Sequence, residues 1–539
     1  MTAHPAPAPQ TLGDALSEAV RRRGDAPFIL HGDDATSYRQ LDAASRRVAA
    51  SLLRLDIGPG DRIGLLSLNR IEWLVMFFAA VRVGAAVVAM SPRYRENELG
   101  YMVRDCDVKA IALIADHEGY GFTAMFERLS TQLPTLRHLI LFPSASHDSD
   151  DVAATTGEGP LLRVPYARLL AVDDAAACDR AAATVTPNDL AMVIYTSGTT
   201  GRPKGAGLTH QRLLASARAQ AAHMRIDARD LLPLASPLNH VGGITCGILS
   251  LMAGGGRVDL IPEFKALDVL ERIRLHRPTL LAGVPTMMTL LLMKSQGLDI
   301  DFSSIRLLFA GGSNVDATLL GQLHERMPQA TLMNLYGLSE SSGAIVITPW
   351  DATREDLMNT IGRTIGDAEV QVVSLDDRRP LPAGEVGELC FRGCGVVPGY
   401  VGAAAADNGV FLPGGWLRSG DLGEVGPRGV ITLRGRSKEM YIQGGFNVYP
   451  AEVEAYIARH PRVLMVAGIG VPDPVMGEIG RYYVVLKPRA ELDQADLREW
   501  CAQGLADYKV PRQILFRAEL PLTPAGKIHK AALRDGIAD

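Results

Sequence analysis

Short apolar runs alternate along most of this chain with stretches whose apolar residues fall three or four apart, and that alternation sets the fold class. Residues 61–67, 85–90, 109–114, 190–194, 280–284, 305–310 and 332–337 read as buried strands. Residues 71–83, 96–104, 208–222, 267–275 and 285–294 read as helices. Residues 36–41 predict a short strand entering a helix, with Leu41, Ala44, Val48 and Leu52 along one face. Strands that alternate with helices imply a largely parallel, helix-covered α/β sheet. A single core stops growing near ~250–300 residues, so 539 residues require more than one domain. From about residue 366 the pattern changes to short strands and turns at 369–375, 387–392 and 429–434, a β-rich subdomain. A charged link at 434–438 precedes a helix at 449–460, strands at 463–471 and 482–487, and a helix at 492–505. That is enough for a small α+β domain of its own. The division read from sequence is a disordered lead at 1–11, a large domain at 12–435, a hinge at 436–439 and a small mobile domain at 440–539.

Composition removes several classes. A net charge of -5 argues against a general nucleic-acid binder. Cys106, Cys178, Cys246, Cys390, Cys394 and Cys501 contain no C-x-x-C pair, which points to a reducing, cytoplasmic setting without a structural zinc. The first ten residues lack the apolar core of a signal peptide. The most apolar region, 63–90, is interrupted by Asn69, Arg70, Glu72 and Arg82, so it does not make a membrane span.

Residues 195–205, Tyr-Thr-Ser-Gly-Thr-Thr-Gly-Arg-Pro-Lys-Gly, carry the first chemical signal. Glycines let backbone N–H groups approach a ligand, hydroxyls add donors, and Lys204 adds a mobile positive charge. Such a loop suits a polyphosphate. It lacks the G-x-x-x-x-G-K-[ST] spacing of a Walker A loop. Strand-like runs that end in Gly311-Gly-Ser313 and in Asn334-Leu-Tyr-Gly337 add two more sites where an open α/β sheet binds ligands.

With Pro237-Leu-Asn-His-Val-Gly-Gly243, Ser339-Glu340, Trp416-Leu-Arg-Ser-Gly-Asp421, Gln443-Gly-Gly445 and Pro521-Leu-Thr-Pro-Ala-Gly-Lys527, these segments resemble, in order, the motifs of the ANL superfamily of adenylate-forming enzymes. The resemblance runs from about residue 12 to 530 and is of the acyl-CoA synthetase type. It implies that Thr196, Ser197, Gly198, Thr199, Thr200, Gly201 and Lys204 cradle the outer phosphates of ATP. Gly311, Gly312, Ser313, Asn334, Tyr336, Gly337 and Ser339 would surround adenine and the α-phosphate, with Tyr336 stacking on the base. Ser339 stands where threonine is commoner and keeps the hydroxyl. Glu340 would hold Mg²⁺, with Thr196 as second oxygen; one or two protein oxygens suffice for that ion. His240 would lie beside the acid's carboxylate. Asp421 would accept both ribose hydroxyls and Arg436 would touch the ribose. Lys438 would be the hinge, Gly444 and Gly445 the lining of a coenzyme A tunnel, and Lys527 the catalytic lysine. Taken singly, Lys204 and Lys527 read as solvated charges, His240 as a structural histidine, and Asp421 as a turn residue.

The implied reaction is a two-step ligation that uses ATP, Mg²⁺ and coenzyme A. An acid attacks the α-phosphorus to give acyl-AMP and pyrophosphate, and a thiolate then displaces AMP. Loading of a carrier-protein phosphopantetheine is the nearest alternative. An amino-acid-activating domain fits less well, since no Phe-Asp-x-Ser occurs near Asn239, and a luciferase-type oxidase fits less well again, since Gln443-Gly-Gly445 lacks the lysine that those enzymes carry in this loop. A non-catalytic adenine-nucleotide regulator would need no Lys527. Segments 239–244, 284–288, 310–312 and 341–344 carry no Lys or Arg, so the acid is expected to be a medium-chain, branched or aryl monocarboxylate. No nucleic-acid partner or membrane span is expected, and a homodimer is compatible with the sequence.

Overall fold

In a computed structural model, residues 9–143, 161–196, 203–311, 317–402, 409–444, 446–523 and 526–535 are described. Contacts divide the chain into two units. The first holds Met1–Leu280, Gly337–Ala344 and Cys394–Phe411; the second holds Leu281–Tyr336, Ile345–Gly393 and Leu412–Asp539.

The first unit contains an eight-stranded sheet. Its order is Tyr400–Val401, Lys204–Thr209, Leu190–Thr196, Ala86–Met90, Arg62–Leu66, Ala110–Leu113, His138–Leu141 and Leu162–Pro165. From Leu190–Thr196 onward the pairs are parallel, as the alternation predicts. The strands are apolar on both faces because helices cover them. Ile71–Arg82 shows this most fully: every residue from Trp73 to Arg82 is buried. Among the described residues no helix is long and apolar enough to cross a membrane.

One expectation fails at the other edge. The sequence reads as helical from residue 208, but Lys204–Thr209 is a strand antiparallel to Leu190–Thr196, and the helix is His210–His223, capped by Thr209. The phosphate-loop motif therefore joins two antiparallel strands and does not lead from strand into helix. Lys-Gly-Ala-Gly-Leu-Thr has no β-branched pattern to announce a strand. Its small residues are required by neighbours instead. A β-carbon on Gly205 would sit 2.8 Å from Val193 Cγ1 and 3.0 Å from Val401 Cγ2. On Gly207 it would sit 3.0 Å from Val401 Cγ1.

A second sheet in this unit runs Leu231–Leu234, Arg257–Leu260, Pro27–His31, Asp34–Ser37. The first three strands are parallel and the last pair is a hairpin. The helix expected after residue 37 is Tyr38–Arg54, fixed by a capping box of Ser37 and Gln40.

In the second unit Leu307–Gly311 and Thr331–Leu338 are parallel neighbours in a five-stranded sheet. The β-rich part follows as antiparallel strands Glu369–Val373, Gly387–Arg392, Trp416–Val425 and Ile431–Arg436. The last hundred residues build their own sheet: Phe446–Val448, Tyr441–Gln443, Gly477–Leu486 and Val463–Asp473, with Gln513–Phe516 parallel to Gly477–Leu486. Helices Pro450–Ile457 and Gln494–Ala502 contribute Val453, Ile457, Leu497 and Cys501 to a core with Tyr441, Val448, Tyr482 and Ile514. This is the small α+β layout expected from the sequence.

Candidate active site

In the first unit the phosphate-loop motif is described only at its ends; Ser197, Gly198, Thr199, Thr200 and Gly201 lie outside the described residues. Thr196 and Lys204 face each other across the hairpin, and Thr196 Oγ1 donates to the Lys204 carbonyl at 3.4 Å. Lys204 is buried, and its Nζ lies 5.3 Å from the centroid of the Tyr400 ring. That position shields the ammonium from water, and a π-face is a weak partner for it, which favours an incoming anion. Tyr400 also donates to Glu340 Oε1 at 2.8 Å. Burial, reinforced by Glu340, pushes the Tyr400 phenol far above its ordinary range, so it remains a donor. Tyr400 thus links the candidate phosphate cation to the candidate metal carboxylate. The sequence reading missed it. Its only local signal is Gly399-Tyr400-Val401, a two-residue strand paired with residues 205 and 206.

Glu340 sits in the helical turn Ser339–Ser341, with Ser339 buried beneath it and its carbonyl accepting from Val397 N at 2.8 Å. One carboxylate with a nearby hydroxyl is a hard-oxygen donor set suited to Mg²⁺ completed by phosphate oxygens and water. Gly337 is needed for packing, since a β-carbon there would fall 2.1 Å from the Gly343 carbonyl oxygen. His240 caps the short helix Val241–Gly243, its Nδ1 accepting from Gly242 N at 3.2 Å. Asn239 Nδ2 donates to the Met90 carbonyl at 3.1 Å. The bond from Gly242 N holds the His240 ring by its Nδ1.

The second unit gathers the candidate nucleoside residues. Asp421 is buried; its Oδ2 accepts from Tyr336 OH at 2.6 Å and its Oδ1 from Arg436 Nε at 3.0 Å. Pairing of Asp421 with Arg436 follows from register, because strands Trp416–Val425 and Ile431–Arg436 place them opposite each other. Each carboxylate oxygen keeps one lone pair, enough for two ribose hydroxyls. Burial and Asp421 push the Tyr336 phenol well above its usual range. Tyr336, expected to stack on adenine, uses its hydroxyl here to orient the aspartate. Gly311 permits the close strand approach, since a β-carbon would lie 1.9 Å from the Leu335 carbonyl oxygen. Asn334 Nδ2 donates to the Leu357 and Thr360 carbonyls at 2.9 and 2.8 Å, and its Oδ1 has no partner among the described residues. Gly312 and Ser313 lie outside the described residues.

Lys527 joins this second group. Burial first, and then Arg436, lowers its ammonium to about 8, with Asp421 opposing the shift. The preceding Gly526 packs against the start of the helix Pro285–Lys294: a β-carbon there would lie 3.2 Å from Met287 Cε and 3.4 Å from Val284 Cγ2. Thr523 Oγ1 accepts from Lys527 N at 3.2 Å and holds the turn. Two cations beside one carboxylate leave an excess of positive charge that an anion would balance. Lys438 lies in the turn between Ile431–Arg436 and Tyr441–Gln443. Gly444 has φ +59, a conformation glycine adopts without strain, and its N–H donates to Met476 O at 2.9 Å. Gly445 lies outside the described residues.

Known proteins resemble this chain over nearly its whole length. Residues 16–401 match the model of the AMP-binding enzyme family, and residues 452–527 match the AMP-binding enzyme C-terminal domain. A Mycobacterium tuberculosis 3-[(3aS,4S,7aS)-7a-methyl-1,5-dioxo-octahydro-1H-inden-4-yl]propanoyl:CoA ligase is 33% identical over 98% of this chain and 99% of its own. A long-chain-fatty-acid–CoA ligase of Escherichia coli is 30% identical over 98% of this chain and 94% of its own. The crystal structure of an anthranilate CoA ligase in complex with anthranoyl-AMP superposes with a TM-score of 0.85, at 25% identity, covering 98% of this chain and 97% of the other. The chain belongs to the AMP-binding enzyme family of adenylate-forming enzymes. It is an AMP-forming carboxylic acid–CoA ligase that uses ATP, Mg²⁺ and coenzyme A.

Proposed function

We propose that Lys527 drives the first half-reaction, forming acyl-AMP, on a monocarboxylic acid with a sizeable apolar body. The observation that carries this is that Lys527 feels the charges of Asp421 and Arg436 while its neighbour Gly526 rests on Val284 and Met287. A lysine held between the candidate ribose anchor and a candidate wall of the acid pocket can reach both the carboxylate and the α-phosphate. It stabilises charge where the two join. Asp421 positions the ribose, Arg436 and Tyr336 position Asp421, and Lys204 neutralises the departing pyrophosphate. Mg²⁺, held by Glu340 with Thr196, supplies charge neutralisation on the phosphates. His240 borders the acid.

For the second half-reaction Lys438 serves as the hinge between residues 12–435 and 440–539, which withdraws Lys527 and brings up residues 444–445. Ile442, Phe446 and Val475 are exposed around that glycine turn, an apolar face suited to a pantetheine arm. Replacing Gly445 by leucine is expected to lower CoA-dependent thioester formation by at least about 10-fold and to spare acyl-AMP formation. Rapid-quench assay of each half-reaction checks this, and normal CoA turnover would refute the tunnel. A carrier-protein phosphopantetheine presents the same arm and is the second acceptor to assay. A cytoplasmic setting belongs to this reading, supported by the absence of disulfides among the six cysteines.

The relatives support a bulky acid: one is named for a propanoyl arm on a bicyclic ring, the other for long-chain fatty acids. A panel of aryl, alicyclic and medium-chain acids, assayed for AMP release with and without CoA, tests the reading; products identified by mass name the acid and the acceptor. A pH dependence follows. The ammonium form of Lys527 is the working form, and its pKa is lowered to about 8, so kcat/KM for acyl-AMP formation should fall as pH rises through about 8. Lys527→Arg, cationic throughout, should abolish that limb at a lower overall rate. A limb that persists in the arginine variant would assign it to another group.

A further inference from the structure

Three residues after Lys527 stands a second lysine with opposite surroundings. Lys530 Nζ donates to Glu439 Oε2 at 2.6 Å and lies 2.8 Å from Glu454 Oε1. The three side chains are 19%, 27% and 16% exposed, so the cluster sits largely out of water. Burial alone would lower the Lys530 ammonium, but Glu454 and Glu439 outweigh it, so its pKa is raised where that of Lys527 is lowered. A cation between two carboxylates has no charge to spare for a substrate, and Lys530 is therefore committed to the protein.

Its two partners belong to different parts of the small domain. Glu439 follows Lys438, the candidate hinge, and its N donates to Arg436 O at 3.0 Å. Glu454 lies on the helix Pro450–Ile457, and its Oε1 also accepts from Gly468 N, on the strand Val463–Asp473, at 2.6 Å. Lys530 opens the helix Lys530–Asp535, directly after the turn that carries Lys527. That turn is closed on itself: Thr523 N donates to Lys527 O at 2.6 Å and His529 N to Pro521 O at 2.7 Å. Ile528 and Leu533 attach it to an apolar cluster with Ile469, Val471 and Tyr483. Apolar packing holds a segment without fixing its direction, whereas charge-assisted hydrogen bonds fix distance and angle. Lys530 supplies such a directional bond between the reactive turn and the residue beside the hinge.

We propose that Lys530 is a positioning residue: by gripping Glu439 and Glu454 it makes the Lys527 turn and the far side of the hinge one body. Lys527 is thereby set for acyl-AMP formation and carried away whole when Lys438 turns. The inference rests on the roles given above to Lys527 and Lys438 in the ligase reading. Residues 444–445, which that reading brings up for the thiol, lie on the hinge side of the grip. Loosening the grip therefore disturbs the first half-reaction and spares the second.

The test uses the full chain with Mg-ATP, CoA and the acid that releases most AMP in the panel above. Each half-reaction is read separately, the second from the synthetic acyl-AMP of that acid. Glu439→Gln keeps the Lys530–Glu454 pair and removes the charge beside the hinge. It is expected to lower kcat for acyl-AMP formation by about 10-fold, since a displacement of about 1 Å at a reacting group costs up to about 10²-fold. KM for ATP and the rate of thioester formation should both stay within about 2-fold of wild type, because nucleotide binding is not touched. Lys530→Gln should show the same split, and Lys530→Arg, which keeps a cation with several donors, should restore most of the lost rate. The double variant Glu439→Gln with Lys530→Gln should be no slower than the slower single one, because both cut the same link. A merely structural role would lower both half-reactions together. That result, or wild-type acyl-AMP rates in both glutamine variants, would overturn the coupling. Undiminished acyl-AMP formation in Lys527→Ala would overturn the role of Lys527 itself, and AMP release by wild type from no acid would overturn the ligase reading.

Discussion

Replacing Lys527 by alanine is expected to slow acyl-AMP formation by about 10²–10³-fold, the typical loss when one group that stabilises developing charge is removed. The same variant should still convert supplied acyl-AMP and CoA to thioester. The asymmetry follows from where the ammonium sits. It lies within electrostatic reach of Asp421 and Arg436, the groups assigned to the ribose, and the turn that carries it rests on Val284 and Met287. Only the first half-reaction joins a carboxylate to a phosphate there. Stopped assays of pyrophosphate release and of thioester formation from synthetic acyl-AMP separate the two steps. Equal losses in both would mean that Lys527 holds the small domain together and does not act on the reaction.

Lys438→Pro is expected to give the opposite pattern, with acyl-AMP formation retained and thioester formation reduced by about 10-fold or more. Proline fixes its own φ and biases residue 437 away from helical conformations, which removes the freedom a hinge requires. The turn is otherwise firmly tied. Ser437 N and Oγ both donate to the Gly420 carbonyl, at 3.0 and 3.1 Å, and Met440 N donates to Arg436 O at 3.1 Å. Ser437 on one side of Lys438 and Glu439 on the other, whose N donates to Arg436 O at 3.0 Å, are both anchored. Burst-phase acyl-AMP that accumulates and fails to turn over with CoA would be the signature. Wild-type thioester rates would remove Lys438 from the mechanism.

Local pattern made some parts of the molecule legible and hid others, for identifiable reasons. The strand expected at 305–310 is Leu307–Gly311, and that at 332–337 is Thr331–Leu338, because continuous apolar runs between glycines and polar turns have few alternatives. Pro27–His31, Leu231–Leu234 and Arg257–Leu260 were not legible: four- or five-residue strands with Pro, Arg or Asp inside carry no distinctive period. The strand Lys204–Thr209 was hidden, its residues read as loop and helix start, since its strand character comes from the space left by Val193 on the neighbouring strand and by Val401, almost two hundred residues away. Motif order located the candidate site residues, and chain spacing could not show which pairs would meet. Asp421 and Arg436 are joined by strand register, and Tyr400 is brought to Lys204 and Glu340 by an edge pairing.

The small-residue strand beside the phosphate-loop motif also bears on how such an enzyme can diversify. At residues 205 and 207 even a methyl group meets Val193 or Val401, and displacing Val401 would displace Tyr400 with it. Variation there is closed by geometry, whatever acid the enzyme uses. Gene duplication would therefore yield copies that keep these two glycines whatever else in the chain drifts.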